Sequence, residues 1–132
     1  MNRALLAIPL LLAAAHGHDR TPPVFAGLRS ATTCIGGPAG GGVRTSAYRL
    51  SWHPARDNRT PRRWIVYDVY QATHSRGERF ARPTYTSKPG ATTFVTPALP
   101  DDKTYYFVVR ARDKAGNRDR NRREVHGANL CV

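Results

Sequence analysis

The side chains in this 132-residue sequence that could do chemistry are five histidines, nine carboxylates and two cysteines, and their spacing argues against most of it. His16, His18, His53, His74 and His126 belong to no H-E-x-x-H or G-x-S-x-G frame, so neither a zinc hydrolase nor a serine nucleophile can be assembled around them. Adjacent carboxylates occur only at Asp101-Asp102, where the preceding Pro100 makes a turn the simpler account. The run CIGGPAGGG from Cys34 to Gly42 lacks the GK[ST] ending and the following helix of a phosphate cradle, and reads as a flexible loop or bulge. A calcium ion could be held by Asp57, Asn58, Asp113 and Asn117 if their two loops met, but the surrounding arginines oppose it. The chain is therefore not expected to be an enzyme, and no cofactor is expected.

Two further ligand readings concern the termini. A mature chain beginning at His16 would offer its amine, two amide nitrogens and the His18 imidazole to Cu(II) or Ni(II) in one plane. A polar tail is the plainer reading of the same residues. Cys34 and Cys131 have no C-x-x-C spacing, and two lone thiols do not make a metal site. Bridged, they would close a loop of about 98 residues, for which the chain-entropy account gives on the order of 4 to 5 kcal/mol. A structural disulfide is the expectation.

Charge points to a different class of chemistry. The chain carries a formal +12, which keeps it soluble and draws anionic polymers toward it. Arg56, Arg59, Arg62 and Arg63 stand against Asp57 in one loop. Arg110, Arg112, Lys114, Arg118, Arg120, Arg122 and Arg123 stand against Asp113 and Asp119 in another stretch. If these loops share a pole with Lys88, the set Arg56, Arg59, Arg62, Arg63, Lys88, Lys114, Arg118 and Arg120 forms an anion-binding surface. Its partner would be an anionic polysaccharide or other cell-surface polymer, or nucleic acid outside the cell. The competing reading is a solvated surface, since arginines are spread through other loops too.

The elements that must position these residues are strands. Residues 1–15, MNRALLAIPLLLAAA, read as a signal peptide: a basic start, an apolar run and a small-residue end. The run is shorter than the roughly 20 residues of a membrane span, so export to the periplasm or the exterior is expected, without a membrane anchor. Residues 16–21 form a flexible lead-in, and residues 22–127 one domain with strands at Val24–Ala31, Ser46–Trp52, Trp64–Ala72, Phe80–Ser87, Thr93–Thr96, Tyr105–Arg112 and Asn121–Gly127. Residues 128–132 are a tail carrying Cys131. From Tyr105 the alternation puts Phe107, Val109 and Ala111 on its own face and Tyr106, Val108, Arg110 and Arg112 on the other. Leu99 lies six residues ahead of Tyr105, the spacing of a tyrosine corner. About seven short alternating segments separated by turns argue an all-β sandwich.

With Leu50-x-Trp52-x-Pro54, Ile65-x-Tyr67-x-Val69, Leu99-x5-Tyr105 and Phe107-x-Val109-x-Ala111 in this order, the chain resembles a fibronectin type III domain from about Pro22 to Gly127. Asp57-Asn58 and the D-x-x-G-N of Asp113–Asn117 are similar to the bacterial branch of that family. The resemblance implies a seven-stranded Greek-key β-sandwich of the immunoglobulin-like class, strands A, B and E in one sheet and C, C′, F and G in the other. It implies a core of Trp52, Tyr67, Val69, Leu99, Phe107 and Val109 with Tyr105 at the corner. It also implies a monomeric, secreted binding or spacer module, acting through the loop pole or through a C, F and G face bearing Tyr70, Tyr106, Arg110 and Arg112. The alternative is an accessory module of an extracellular or envelope-associated enzyme, carbohydrate-active or hydrolytic. Arg76-Gly77-Glu78 stands where an Arg-Gly-Asp would be needed for integrin-type adhesion.

Overall fold

The computed structural model describes residues 17–33 and 44–130. The expected signal peptide, His16, Cys34 and Cys131 lie outside the described residues. Within them the chain is all-β and sandwich-like, with no α-helix. Ten short strands are present: β1 (Ser30–Thr33), β2 (Thr45–Ser46), β3 (Arg49–Ser51), β4 (Val66–Ala72), β5 (Tyr85–Thr86), β6 (Thr93–Val95), β7 (Leu99–Pro100), β8 (Tyr106–Arg112), β9 (Val125–His126) and β10 (Ala128–Asn129). One four-stranded sheet runs β10-β1-β3-β6, the other β5-β4-β8-β9, and β2 and β7 form a separate two-stranded ribbon.

The longest ladder joins β4 to β8 antiparallel, from Val66 opposite Arg112 to Ala72 opposite Tyr106. Its inward residues Tyr67, Val69, Phe107, Val109 and Ala111 meet Ala31, Leu50 and Trp52 from the facing sheet in one buried cluster. Tyr67 stacks at a tilt on Trp52 with ring centroids 5.0 Å apart, and Phe25 closes on it from the lead segment at 5.2 Å. The polar tips of these aromatics are satisfied: Trp52 Nε1 donates to the Ala91 carbonyl at 2.9 Å, and the Tyr67 hydroxyl accepts from the Ala55 amide at 2.8 Å. Tyr105 is buried, and its hydroxyl donates to the Pro100 carbonyl at 2.8 Å, while Leu99 packs at the core's edge.

The strand count and several boundaries differ from expectation; the strands expected over Phe80–Ser87 and Asn121–Gly127 shorten to Tyr85–Thr86 and Val125–His126. The single strand expected over Ser46–Trp52 is split, because the Tyr48 amide donates to the Thr96 hydroxyl at 2.9 Å instead of to a ladder carbonyl. Its first piece, β2, therefore pairs with β7, and its second, β3, with β1 and β6. The strand expected from Val24 begins only at Ser30, since Gly27 turns the chain at φ +88°, where an added Cβ would lie 2.9 Å from Asn121 Oδ1. Trp64 belongs to a 3₁₀ turn, Arg62–Trp64, ahead of β4. The tail expected after Gly127 instead adds β10 in parallel to β1, with Thr32 opposite Ala128 and Thr33 opposite Asn129. The lead-in expected to be flexible is docked: Asp19 is buried, its carbonyl accepts from Asn117 Nδ2 at 2.9 Å, and the Gly17 carbonyl accepts from Arg59 Nη1 at 2.6 Å.

The Tyr105 hydrogen bond sets a stability test. Tyr105→Phe should lower the unfolding free energy by about 0.5 to 1.5 kcal/mol in urea titration, whereas Tyr106→Phe, on the opposite face, should change it little. Equal losses would show that the corner bond carries none of the difference.

Candidate functional site

The loop before β4 is shaped by Asp57 and Pro61. One Asp57 carboxylate oxygen, Oδ2, accepts from the Arg59 and Thr60 amides at 3.0 and 2.8 Å, which curls the chain into a turn. Pro61, at φ −57°, then leads into the 3₁₀ turn, closed by Trp64 N to Pro61 O at 2.9 Å and Ile65 N to Arg62 O at 3.2 Å. Ile65 dives into the core with no exposed surface, so the residue before it is left outside: Trp64 is 44% exposed. On the other side, the turn after β8 is closed by Asn117 N on Asp113 Oδ1 at 2.8 Å, with Gly116 at φ +91°. The Lys114 amide donates to the Thr60 hydroxyl at 3.1 Å, fastening this turn to the first loop.

These constraints put two cations on Trp64. Lys114 Nζ lies 4.8 Å and Arg63 Cζ 5.9 Å from the indole centroid, within reach of its quadrupole. The Lys88 turn is brought alongside by Gly90, whose amide donates to the Ile65 carbonyl at 2.8 Å. Arg62, Arg63, Lys88 and Lys114 are all exposed, so the pole is an open aromatic surface rimmed by positive charge. Trp64 was not among the residues singled out from the sequence. Its position heads an apolar run and so reads as strand; the signal that marks it is the Arg62-Arg63 pair just before it, following a proline.

The remaining basic residues of the expected set go elsewhere. Arg118 is spent on Asp68, Nε to Oδ2 at 2.7 Å, and Arg112 takes the same carboxylate at 2.9 Å. Asp68 is fully buried; burial pushes its carboxyl up, but hydrogen bonds from Arg112 and Thr86 and the charges of Arg112 and Arg118 outweigh this and hold it below its ordinary value. Arg59 is turned to the Gly17 carbonyl. Arg56 bridges Val24 through its backbone, and Arg56 and Arg120 are exposed. His18 is exposed too.

The face of Tyr70, Tyr106, Arg110 and Arg112, read above as an open surface, is largely covered. Phe80 folds over it, with Arg110 Cζ 3.6 Å above the Phe80 ring and Tyr70 in edge contact at 5.1 Å. Arg110 Nε donates to the Asn121 carbonyl at 2.9 Å, and Tyr70 and Arg110 are buried beneath. Phe80, expected at the head of a strand, lies instead in a turn ahead of β5.

Beside that cover lies a cleft of about 590 Å³ lined by Ser75, Arg76, Glu78, Phe80, Arg122 and Glu124. It brings together two carboxyl groups far apart in sequence, Glu78 and Glu124, whose separation along the chain hides the pairing. Glu124 accepts from the Ser75 hydroxyl at 2.7 Å and the Arg76 amide at 2.6 Å, holding a turn in which Arg76 has φ 59°. Burial and a hydrogen bond to Glu124 push Glu78 up to about 7, so the pair keeps a proton near neutrality. The arrangement pins a turn, with Glu124 occupied as an acceptor. Among the described residues, no helix is long and apolar enough to cross a membrane. Compared with known proteins, the chain matches no family model, no curated protein and no solved structure.

A raised folded-state value at Glu78 means that the folded chain holds a proton which the unfolded chain has lost, so stability should fall as pH rises from about 4.5 to about 7. Thermal melts across that range should show this slope in the native chain and a shallower one in Glu78→Gln. Parallel profiles would remove the shared proton from the account.

Proposed function

We propose that the chain is a secreted, non-catalytic module of the fibronectin type III kind that binds anionic cell-surface polysaccharide through the pole around Trp64. The observation that carries this reading is the exposed Trp64 indole, with Lys114 and Arg63 against it. An indole face offers a platform for a sugar ring, and the cations beside it pair with the sulfate, phosphate or carboxylate groups the ring carries. The family assignment is supported by the Tyr105–Pro100 corner bond and by the sheet orders β1-β3-β6 and β5-β4-β8-β9, which parallel the A-B-E and C′-C-F-G arrangement of such domains.

The binding reading makes a discriminating prediction. Retention of the exported chain on heparin, a sulfated polysaccharide, should fall steeply between ~50 and ~200 mM salt. Trp64→Ala and the pair Arg63→Ser with Lys114→Ser should each weaken retention, whereas Arg118→Ser should not, because that guanidinium is committed to Asp68. Unchanged retention in Trp64→Ala, with the melt intact, would remove the pole from this role.

Export and a Cys34–Cys131 disulfide belong to the same proposal. Thr33 and Leu130, the described neighbours of the two cysteines, are joined by a hydrogen bond from Leu130 N to Thr33 O at 3.0 Å. Non-reducing mass spectrometry of the exported chain should find a mass two hydrogens lighter than the reduced form. Alkylation of both thiols without prior reduction would exclude the bridge.

A further inference from the structure

Three carboxylates from distant parts of the chain converge behind the pole. Asp19 comes from the N-terminal segment, Asp57 from the loop before β4 and Asp113 from the turn after β8, and each places an oxygen within 4.8 Å of the other two. Asp19 and Asp113 are 8% and 3% exposed. A buried carboxylate ordinarily finds partners, and this protein shows how. Buried Asp68 has two guanidiniums, and buried Asp119 accepts from the Ala111 and Asn121 amides. Asp19 differs. Its Oδ1 accepts from the Thr21 amide at 3.0 Å, but its buried Oδ2 has no hydrogen-bond partner, and neither has Asp57 Oδ1.

Three of the neighbouring basic residues are engaged elsewhere. Arg59 is engaged with the Gly17 carbonyl, Lys114 lies over Trp64, and Arg118 is paired with Asp68. Among the described residues, both ion pairs go to Asp68 and none to this triad. Arg20 and Arg56, adjacent in sequence to Asp19 and Asp57, are exposed and form no ion pair with the triad among the described residues.

We propose that Asp19, Asp57 and Asp113 bind one Ca²⁺ ion, which fastens the N-terminal segment to the two loops of the pole. Oxygens around a single Ca²⁺ at about 2.4 Å can stand up to about 4.8 Å apart, the limit within which the three carboxylates converge. Hard carboxylate oxygens carried on loops suit this ion, whose shell is flexible and takes six to eight ligands. Asp57 is only partly buried, so solvent reaches the site and water completes the coordination. The ion replaces mutual repulsion of three carboxylates by attraction, and it acts on segments nearly a hundred residues apart in sequence. This binding is independent of the polyanion reading, since it uses none of the cations around Trp64.

The test uses the exported chain after removal of metal with EGTA. Titration with CaCl₂ in a calorimeter should show one site, MgCl₂ at least tenfold weaker, and CaCl₂ should raise Tm by several degrees through linkage. Asp19→Asn and Asp57→Asn should each abolish the calcium-dependent rise, while Asp102→Asn, in the exposed turn before the corner, should retain it. Hydrogen exchange on the native chain gives a readout that requires no variant: calcium should slow amides in 17–21, 57–60 and 113–117 together. Absence of heat with equal Tm in CaCl₂ and EGTA would overturn the proposal. So would a rise in Tm that survives both Asp19→Asn and Asp57→Asn, or calcium-free stabilisation by those substitutions with no response to calcium in the native chain, which would mean that the carboxylates are relieved by protons instead.

Discussion

The ladder between β4 and β8 is the constraint from which most of the molecule follows. Its register sets Tyr67, Val69, Phe107 and Val109 against the facing sheet, and by the same alternation turns Asp68, Tyr70, Arg110 and Arg112 outward. A slip of one residue would exchange these two sets, burying an aspartate and two arginines in the core and putting two aromatic rings on the surface. The same register delivers the loop ahead of Val66 and the turn after Arg112 to one end of the pair, because those two residues are opposite each other. Thr60 can then receive the Lys114 amide, and Trp64 can receive the Lys114 side chain.

The outward face explains how a chain of +12 uses part of its positive charge internally. Arg112 and Arg118 meet the one carboxylate that the register buries, and Arg110 sets its guanidinium over the Phe80 ring at 3.6 Å, with the Tyr70 ring 5.7 Å away. Arginine suits this work because its planar group stacks on rings while its edge still donates, as Arg110 does to the Asn121 carbonyl. The face that a two-layer sheet would show to water is thus roofed by residues from 73–84 and 117–122, with guanidinium as the intermediary. Arg62, Arg63, Lys88 and Lys114, which take no part in such tasks, lie exposed at the pole around Trp64.

What could be read from the sequence is what depends on neighbours along the chain. The alternation in β4 and β8 is visible because side chains on a strand change sides at every residue, and the turn at Asp113–Asn117 is visible because Gly116 and the flanking Asp and Asn are turn formers. What could not be read depends on contacts across the fold. The division of Ser46–Trp52 is made by a hydroxyl at Thr96; the roof over Tyr70 is made by Phe80 from a turn ahead of β5; and the docking of Asp19 needs Asn117, which is almost a hundred residues away. The candidate pole was legible as a charge excess in two loops. Its focus was not, since nothing local shows that Ile65 turns inward and leaves Trp64 outside.

The polar tips of the core aromatics connect these levels. The Tyr67 hydroxyl takes the Ala55 amide at the start of the loop that leads to Asp57 and Trp64, and Trp52 Nε1 holds the Ala91 carbonyl in the turn that follows Lys88. Each ring is fixed in turn by burial between the sheets, so two of the loops that form the pole are tied to groups that move only if the core does. The third, at Lys114, is tied to the first through Thr60. A surface held this way has lost its conformational freedom on folding, and a ligand that meets it does not bear the cost of ordering it. The pole therefore derives its rigidity from the same two aromatic residues, Trp52 and Tyr67, that join the sheets, and weakening their hydrogen bonds would loosen the loops before it disturbed the strands.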